Sequence, residues 1–336
     1  MNSSPDEVVE PGLPIIDPHH HLWTDGVSGR FMLEDLLADL GSGHDVRATV
    51  YIECGSCYRA GGPEELRPVG EIEFANGIAA MGASGAYGPA RFCASIVGFA
   101  DLLLGSRIDS VLESLVAAGN SRLKGIRQIA SHDPEVKIQA PAGMLGYEDF
   151  RKGYARLAEY GLSFDAWLYH SQLGELLPLA ADYPDIPVVI NHAGGLAATG
   201  AYSSRRDEAF KDWRDGLSAL ANLPHVTVKL GGFFMPAFGL GFERAERAER
   251  AERIDYTELA RAARPIIETC VELFGPRRCM FESNFPVTRD FISYRDIWNC
   301  YKHAIRDYSA ADKADLVHDT AQRVYRISYD QHQPQP

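Results

Sequence analysis

Short apolar runs rich in β-branched residues alternate along the chain with longer segments of helical periodicity, and the alternation repeats about eight times. Repeated strand–helix units are typical of a parallel sheet. Eight such units predict a closed α/β barrel of the (β/α)8, or TIM-barrel, class. We predict its strands at residues 14–19, 46–53, 92–98, 123–129, 163–169, 186–192, 225–230 and 278–284.

One barrel accounts for nearly the whole chain. The pattern predicts an N-terminal tail, a single barrel domain and a C-terminal tail at residues 1–13, 14–330 and 331–336. A rim insertion near 231–255 contains the Glu-Arg-Ala repeat of 243–253, whose acid–base pairs four residues apart favour a helix. The helical pattern of 310–327 predicts a closing helix in the outer layer.

Charge and composition limit the possible partners. The chain of 336 residues has a formal net charge of −13, and no basic patch offsets it, so we exclude nucleic acids and anionic membranes as partners. Residues 1–12 have neither a basic region nor a long apolar run, so they indicate no secretion signal or membrane span. We therefore expect a cytoplasmic protein that acts on a small molecule. Whether it forms a homo-oligomer is left open.

Six cysteines are too few for a disulfide framework in a chain of this length. Cys54 and Cys57 form a single C-x-x-C motif, which is found in redox pairs and in zinc sites. No second pair of this spacing accompanies it. The motif is therefore either functional or an ordinary loop.

Three histidines follow the first predicted strand directly. Because alternate residues of a strand face the same way, His19 and His21 should converge, and His20 should point away from them. The carboxyl ends of barrel strands are where barrel enzymes build their sites. Neutral imidazoles in that place serve either as ligands of a divalent metal or as general acids and bases.

The sixth and eighth predicted strands also end in polar residues. His192 ends the sixth strand, and Glu282 and Asn284 share one face at the end of the eighth. A buried glutamate is costly unless it is paired, and Lys229 in the seventh strand is the partner we expect for Glu282. That pair is either structural or part of the site.

Two further strand ends carry opposite charges. Arg127 ends the fourth strand, where it either anchors a substrate carboxylate or pairs with Glu53 at the end of the second strand. Glu53 is a candidate general base. Either Tyr169 or His170 should face the barrel mouth from the fifth strand, and Tyr51 in the second strand is a further candidate substrate contact.

Five motifs in one order resemble the amidohydrolase-2 branch of the amidohydrolase superfamily. They are Asp17–Trp23, Gly125–Arg127, Pro187–Gly194, Val228–Gly232 and Cys279–Val287. The motifs are most similar to those of lactonases that act on pyrone dicarboxylate, sulfomuconolactone and sugar lactones. The resemblance implies hydrolysis of a lactone or ester bond in a small, anionic molecule, at a site formed by the strand ends.

The resemblance assigns roles residue by residue. The family's His-x-His pair maps to His19 and His21, its sixth-strand histidine to His192 and its arginine anchor to Arg127. The family's Gly-Ser-Asp-Trp-Pro is replaced by Glu-Ser-Asn-Phe-Pro, and Asn284 can orient water or substrate but cannot take up a proton. The resemblance implies no obligate cofactor and at most one divalent metal such as zinc, held by the three histidines.

These residues lead to one preferred hypothesis and two alternatives. In the first, Arg127 holds the substrate, the three histidines polarise its carbonyl, alone or through one metal ion, and Glu53 or a histidine activates water. The second is a lyase or decarboxylase of the same superfamily, because Asn284 removes the expected water base. The third is a non-catalytic barrel that binds a carboxylate.

Overall fold

A computed structural model describes residues 7–242 and 254–328. Eight strands form one sheet whose spatial order follows the chain, and neighbouring strands run parallel. This confirms the predicted (β/α)8 barrel. The strands are β1 (Ile15–His20), β2 (Val46–Ile52), β3 (Arg91–Gly98), β4 (Leu123–Arg127), β5 (Ser163–Ala166), β6 (Val188–Ile190), β7 (Val226–Leu230) and β8 (Cys279–Phe281).

Helices surround the ring of strands. They include α1 (Leu33–Leu40), α2 (Val69–Ala83), α3 (Asp109–Gly119), α4 (Glu148–Arg156), α5 (Leu173–Asp182), α6 (Arg206–Ala221), α7 (Tyr256–Phe274) and α8 (Tyr294–Ala304). Two of them begin at side-chain caps, Asp255 for α7 and Ser293 for α8. Their apolar faces pack on the outer side of the strands in one large hydrophobic cluster.

Contacts between the first and eighth strands close the ring. The backbone N–H of His21 donates to the carbonyl of Phe285 at 2.9 Å, and that of Asn284 donates to the carbonyl of His19 at 3.0 Å. The Asp17 carboxylate accepts from Ser283 N at 3.0 Å and from Ser283 Oγ at 2.6 Å. Closure therefore brings the end of β8 directly beside the histidines.

A second hydrophobic cluster fills the interior of the ring. Ile16, Val50, Val97, Val189 and Met280 come from strands on different sides and pack together with Ala321 and Tyr325 from the C-terminal segment. The sequence predicted that this segment forms one helix of the outer layer, and that prediction was wrong. It consists of α9 (Ala310–Ala314), a π-helical turn (Asp315–Asp319) and α10 (Thr320–Val324), and its apolar residues close the barrel from within.

The N-terminal segment is fixed to the barrel. Residues 7–13, expected to be part of a tail, are held by α8: Asn299 bonds the backbone of residues 7 and 9, and Lys302 donates to the carbonyls of Glu10 and Leu13. The helix predicted for 243–253 and the tail 331–336 lie outside the described residues. In the part of the chain that the structure describes, no helix combines the length and the apolar character needed to cross a membrane.

Candidate active site

His19 and His21 converge at the end of β1, as predicted. Their Nε2 atoms lie 3.2 Å apart, and His21 Nδ1 donates to the carbonyl of Ile52 at 2.9 Å. His20 turns away, with its Nε2 2.8 Å from Thr49 Oγ1. The pairing register of β1 with β2 shifts between Asp17 and His20, and this shift turns His19 and His21 into the mouth.

His192 joins this pair from the loop after β6. Its ring centroid lies 4.8 Å from that of His19. The backbone of His192 has a φ of 51° and that of Ala193 a φ of 48°, a left-handed conformation that non-glycine residues adopt at a cost. Such strain is frequent at functional sites because the surroundings must hold it in place. Here it turns the imidazole toward the histidines of β1.

Glu282 connects His192 to His19. One carboxylate oxygen, Oε1, lies 2.5 Å from His192 Nδ1 and accepts from the backbone N–H of His192 at 3.2 Å. The other, Oε2, lies 2.7 Å from His19 Nδ1, a close contact without the alignment of a hydrogen bond. Lys229, the predicted partner, is 4.0 Å away. The predicted pair is therefore present as a long contact, but the main partners of Glu282 are the two imidazoles, which were not predicted.

Two consecutive glycines leave room for this arrangement. A Cβ on Gly231 would lie 2.2 Å from Cγ of Glu282, and a Cβ on Gly232 would lie 2.6 Å from Nδ1 of His192. Gly232 also has a φ of +63°, which disfavours any side chain. The loop after β7 is thus shaped around the Glu282–His192 pair.

A second buried ion pair lies beneath the histidines. Lys229 Nζ donates to Asp165 Oδ2 at 2.9 Å, and both side chains are fully buried. The same oxygen accepts from Asn191 Nδ2 at 3.1 Å and from the hydroxyl of Tyr325 at 2.8 Å. Asp165 was not identified from the sequence, although a lone acid within the apolar strand β5 is a signal that could have found it.

Arg127 and Glu53 meet at the edge of the cluster. Arg127 Nε donates to Glu53 Oε1 at 2.6 Å, and Nη2 donates to the backbone carbonyl of Glu53. Arg127 Nη1 lies 3.4 Å from His19 Nε2. Burial alone would lower the pKa of Arg127, but the Glu53 carboxylate holds it above its ordinary value. The guanidinium therefore faces the histidines while it is paired with Glu53.

Asn284 and two aromatic residues form the neighbouring wall. Asn284 has a left-handed backbone, with a φ of 54°, and its Nδ2 contacts Sδ of Met235 at 3.5 Å. The ring of Trp167 lies edge-on to His192, with 4.7 Å between their centroids, and the ring of Tyr169 lies 5.5 Å beyond it. Trp167 was missed because strand alternation alone does not say where a residue after a strand end will point.

Two predicted substrate contacts do not reach the cluster. The Tyr51 hydroxyl donates to Glu71 of α2 at 2.8 Å, because Tyr51 lies on the helix side of β2 while Val50 and Ile52 face the interior. His170 Nδ1 accepts from the backbone N–H of Ala197 at 3.2 Å and so holds a loop. Tyr51 is therefore a correction to the predicted set, whereas substrate contact by His170 stays a prediction.

A cavity of about 500 Å³ opens beside Arg127 and Glu53. Its lining also includes Asp101, Gln128 and Cys54. The structure contains Cys54 and Cys57 as free thiols, and burial, then Glu71, raises the pKa of Cys54 to about 12. The histidines lie behind this cavity: His19, His21, His192 and Arg127 are between 0 and 4% exposed.

Burial keeps His19 and His21 neutral. It lowers the pKa of His19 well below its ordinary value, against the opposing effect of Glu282 and with a further contribution from Lys229. Burial and then Arg127 do the same for His21. A carbonyl only accepts, so the hydrogen bond to Ile52 fixes the proton of His21 on Nδ1. His21 Nε2 is therefore a lone pair directed at His19.

The family is decided by a match over almost the whole barrel. The Amidohydro_2 family model, described as amidohydrolase, matches residues 16–327. The chain belongs to the amidohydrolase family. The five motifs that suggested this resemblance all lie within or overlap the matched residues, so the expected family is confirmed.

Relatives of this amidohydrolase include proteins of similar length. It is 30% identical to the uncharacterized protein y4mH of Sinorhizobium fredii, over 94% of this chain and 99% of that one. It is 26% identical to an L-fucono-1,5-lactonase of Burkholderia multivorans, over 93% and 96%. A crystal structure of a Burkholderia multivorans amidohydrolase with bound zinc is 25% identical, covers 94% of this chain and 99% of that chain, and superposes with a TM-score of 0.72.

The donor atoms of this amidohydrolase fit a single metal ion in one place. His19, His192 and Glu282 are the described residues whose ligand atoms all lie within 4.8 Å of one another, a set that contains Glu282 and not the predicted His21. However, nitrogen ligands of a tetrahedral zinc ion lie about 3.3 Å apart. The 2.5 and 2.7 Å contacts of Glu282 are too short for this, whereas the 3.2 Å between His19 and His21 fits. An ion would therefore bind the Nε2 atoms of His19 and His21 beside His192.

Proposed function

We propose that this amidohydrolase hydrolyses the lactone or ester bond of a small molecule. One observation carries the proposal: three imidazoles and a guanidinium, from His19, His21, His192 and Arg127, meet at strand ends beside a cavity of about 500 Å³. Neutral nitrogen lone pairs and a fixed cation around one point are the groups that acyl transfer to water requires.

In the proposed reaction, water adds to the carbonyl carbon and the bond from that carbon to the ring oxygen breaks, which yields a hydroxy acid. Arg127 Nη1 is the donor best suited to stabilise the developing oxyanion. The Nε2 atom of His192 accepts the proton of water and returns it to the departing ring oxygen, and Asn284 orients water or substrate by hydrogen bonds. A divalent ion bound to His19 and His21 would add Lewis-acid polarisation of the carbonyl.

The charges around the cavity favour a neutral substrate. Arg127 is already paired with Glu53, and Asp101 adds a further carboxylate to the cavity lining. A carboxylate on the substrate would be repelled by this excess of negative charge. We therefore propose a hydroxylated, uncharged lactone, whose hydroxyls donate to these carboxylates, in place of the carboxylated substrate expected from the sequence. The similarity to an L-fucono-1,5-lactonase supports this choice.

A panel of lactones and esters tests the proposal with purified enzyme. We expect His192→Ala and Arg127→Ala to lower kcat/KM by about 100-fold or more, the usual effect of removing one such group. His303→Ala, on the outer helix α8, is the matched control and should retain full activity. Near-normal hydrolysis by either site variant, or no turnover of any lactone or ester by the wild type, would contradict the proposal.

A further inference from the structure

Glu282 offers each of its carboxylate oxygens to a different histidine. Oε1 faces Nδ1 of His192 at 2.5 Å, and Oε2 faces Nδ1 of His19 at 2.7 Å. We propose that Glu282 is a positioning residue that fixes the tautomers of both imidazoles, with the proton on Nδ1 and the lone pair on Nε2. Its effect on turnover rests on the proposed hydrolysis, but the tautomers themselves do not.

The chemistry of a carboxylate requires these tautomers. An ionised carboxylate only accepts hydrogen bonds, so a nitrogen 2.5 Å from Oε1 must carry a proton. At His19, a lone pair on Nδ1 would repel the anionic Oε2 at 2.7 Å, and this repulsion by a full charge exceeds that between the two neutral Nε2 lone pairs of His19 and His21 at 3.2 Å. The one competing donor to that nitrogen among the described residues is Lys229 Nζ at 3.4 Å, which is instead bonded to Asp165 at 2.9 Å.

The charges of the interior point to the same conclusion. Lys229 is the nearest cation to Glu282 in the described part of the chain, at 4.0 Å, and it is shared with Asp165. A fully buried carboxylate without its own cation must be stabilised by N–H donors. We infer that Glu282 is an anion held by a hydrogen bond from His192 Nδ1 and by a close contact of 2.7 Å with Nδ1 of His19.

This arrangement relocates the carboxylate of the eighth strand. The family's motif has glycine and aspartate where this chain has Glu282 and Asn284, so the acid lies two residues earlier in the chain. At this position the negative charge lies behind the histidines, with its oxygens 2.5 and 2.7 Å from Nδ1 of His192 and His19. There it cannot reach water in the cavity directly, but it determines which nitrogen of each imidazole is available.

The space for Glu282 depends on two glycines. Gly231 and Gly232 leave open the positions that a Cβ would fill at 2.2 Å from Glu282 and 2.6 Å from His192. The backbone carbonyl of Glu282 accepts from the hydroxyl of Tyr301 at 3.1 Å, which fixes the residue from the other side. The backbone of Glu282 is therefore held independently of the histidines, and the two glycines leave space for its side chain.

Nitrogen-15 NMR of protein labelled at histidine tests the proposal directly, because the two imidazole nitrogens differ strongly in shift with protonation. The signals of His19 and His192 are assigned by comparison with His19→Asn and His192→Asn. In the wild type at neutral pH we expect a proton on Nδ1 and a bare Nε2 in both rings. A proton on Nε2 of either ring in the wild type would overturn the proposal, and this outcome requires no Glu282 variant.

Glu282→Gln supplies the complementary experiment. The amide has one accepting oxygen, so its NH2 group must face one imidazole, and that ring should move its proton to Nε2. Glu71→Gln, the same change at a buried carboxylate of α2 away from these histidines, should leave both tautomers unchanged. Retention of both Nδ1 protons in Glu282→Gln would refute the inference.

Zinc affinity gives a second readout that needs no substrate. Loss of an outer carboxylate that orients metal-binding imidazoles usually weakens metal binding by about 10- to 100-fold. We expect this loss in Glu282→Gln, measured by competition with a chromophoric chelator, and none in Glu71→Gln. Equal zinc affinity in wild type and Glu282→Gln would contradict the positioning role.

If lactones are not turned over while these tautomers are found, the proposed function fails and the tautomer assignment stands.

Discussion

Arg127 and Glu53 form a buried ion pair in which the guanidinium also donates to the backbone carbonyl of Glu53. The same guanidinium reaches His19 Nε2 at 3.4 Å. The cation that should contact the substrate is therefore held by two bonds to one residue. Both bonds hold its position, but only the carboxylate reduces its effective charge.

Glu53→Gln separates these two roles. The carbonyl bond should keep Arg127 in place, while loss of the carboxylate leaves its charge available to an anionic substrate. We expect the ratio of kcat/KM for a carboxylated lactone to that for a neutral one to rise about 10-fold or more, equivalent to about 1.4 kcal/mol. The exposed pair of Arg59 and Glu73 offers the control Glu73→Gln. An unchanged ratio in Glu53→Gln would argue against this division of roles.

Glu71→Gln should change how stability depends on pH. Burial, and then Glu53, raises the pKa of Glu71 from 4.5 to about 7, so the folded protein binds more protons than the unfolded chain between these pH values. The contribution of Glu71 is therefore fully present below pH 4.5 and lost as the pH rises through about 7. The three donors to Glu71 all bond Oε1, which glutamine retains.

Between pH 4.5 and pH 8, we expect the unfolding free energy of Glu71→Gln to rise relative to that of the wild type by up to about 3 kcal/mol. Urea unfolding at a series of pH values measures the difference, in which titrations common to both proteins cancel. A difference that stays constant with pH, or one that falls, would show that Glu71 is ionised at pH 7 in the folded protein.

Lys229 and Asp165 should be strongly coupled. Lys229→Met leaves a buried carboxylate without its cation, which usually costs about 3–5 kcal/mol. Asp165→Asn in the same chain removes that charge, so the double variant should be more stable than Lys229→Met alone. Chemical unfolding of the four proteins in a double-mutant cycle measures the coupling. Additive effects of the two substitutions would contradict a direct ion pair.

Gly231→Ala should destabilise the protein by more than about 2 kcal/mol and abolish activity, because the added Cβ would lie 2.2 Å from Cγ of Glu282. Gly174 in α5 is the matched control, since a Cβ there meets nothing within 4 Å. Gly174→Ala should be neutral or slightly stabilising. Thermal unfolding and lactone turnover compare the two variants, and similar behaviour of both would mean that the space at Gly231 is not required.

The sequence was sufficient for the ring of strands and for the convergence of His19 and His21. Both follow from periodicity, which is a local property of a strand. The prediction failed where side-chain direction depends on how a strand ends. Tyr51 faces α2 and not the mouth, because its neighbours Val50 and Ile52 take the inward positions of β2. Glu53 follows the strand, so alternation does not apply to it.

The partners of Glu282 could not be predicted for a different reason. Charge considerations alone favoured Lys229, but that cation is used by Asp165, an acid from a strand 64 residues away in sequence. The choice among several buried acids and bases depends on distances of a few ångströms across the ring. Those distances are set by closure of the barrel, through contacts such as that of Asp17 with Ser283.

Turnover of a lactone in water enriched in oxygen-18 tests the central claim most directly. Hydrolysis at the histidine cluster predicts one heavy oxygen in the carboxylate of the product, at a rate that falls by about 100-fold or more in His192→Ala. Release of carbon dioxide or an elimination product without heavy oxygen would instead identify a decarboxylase or lyase and would contradict hydrolysis at this cluster.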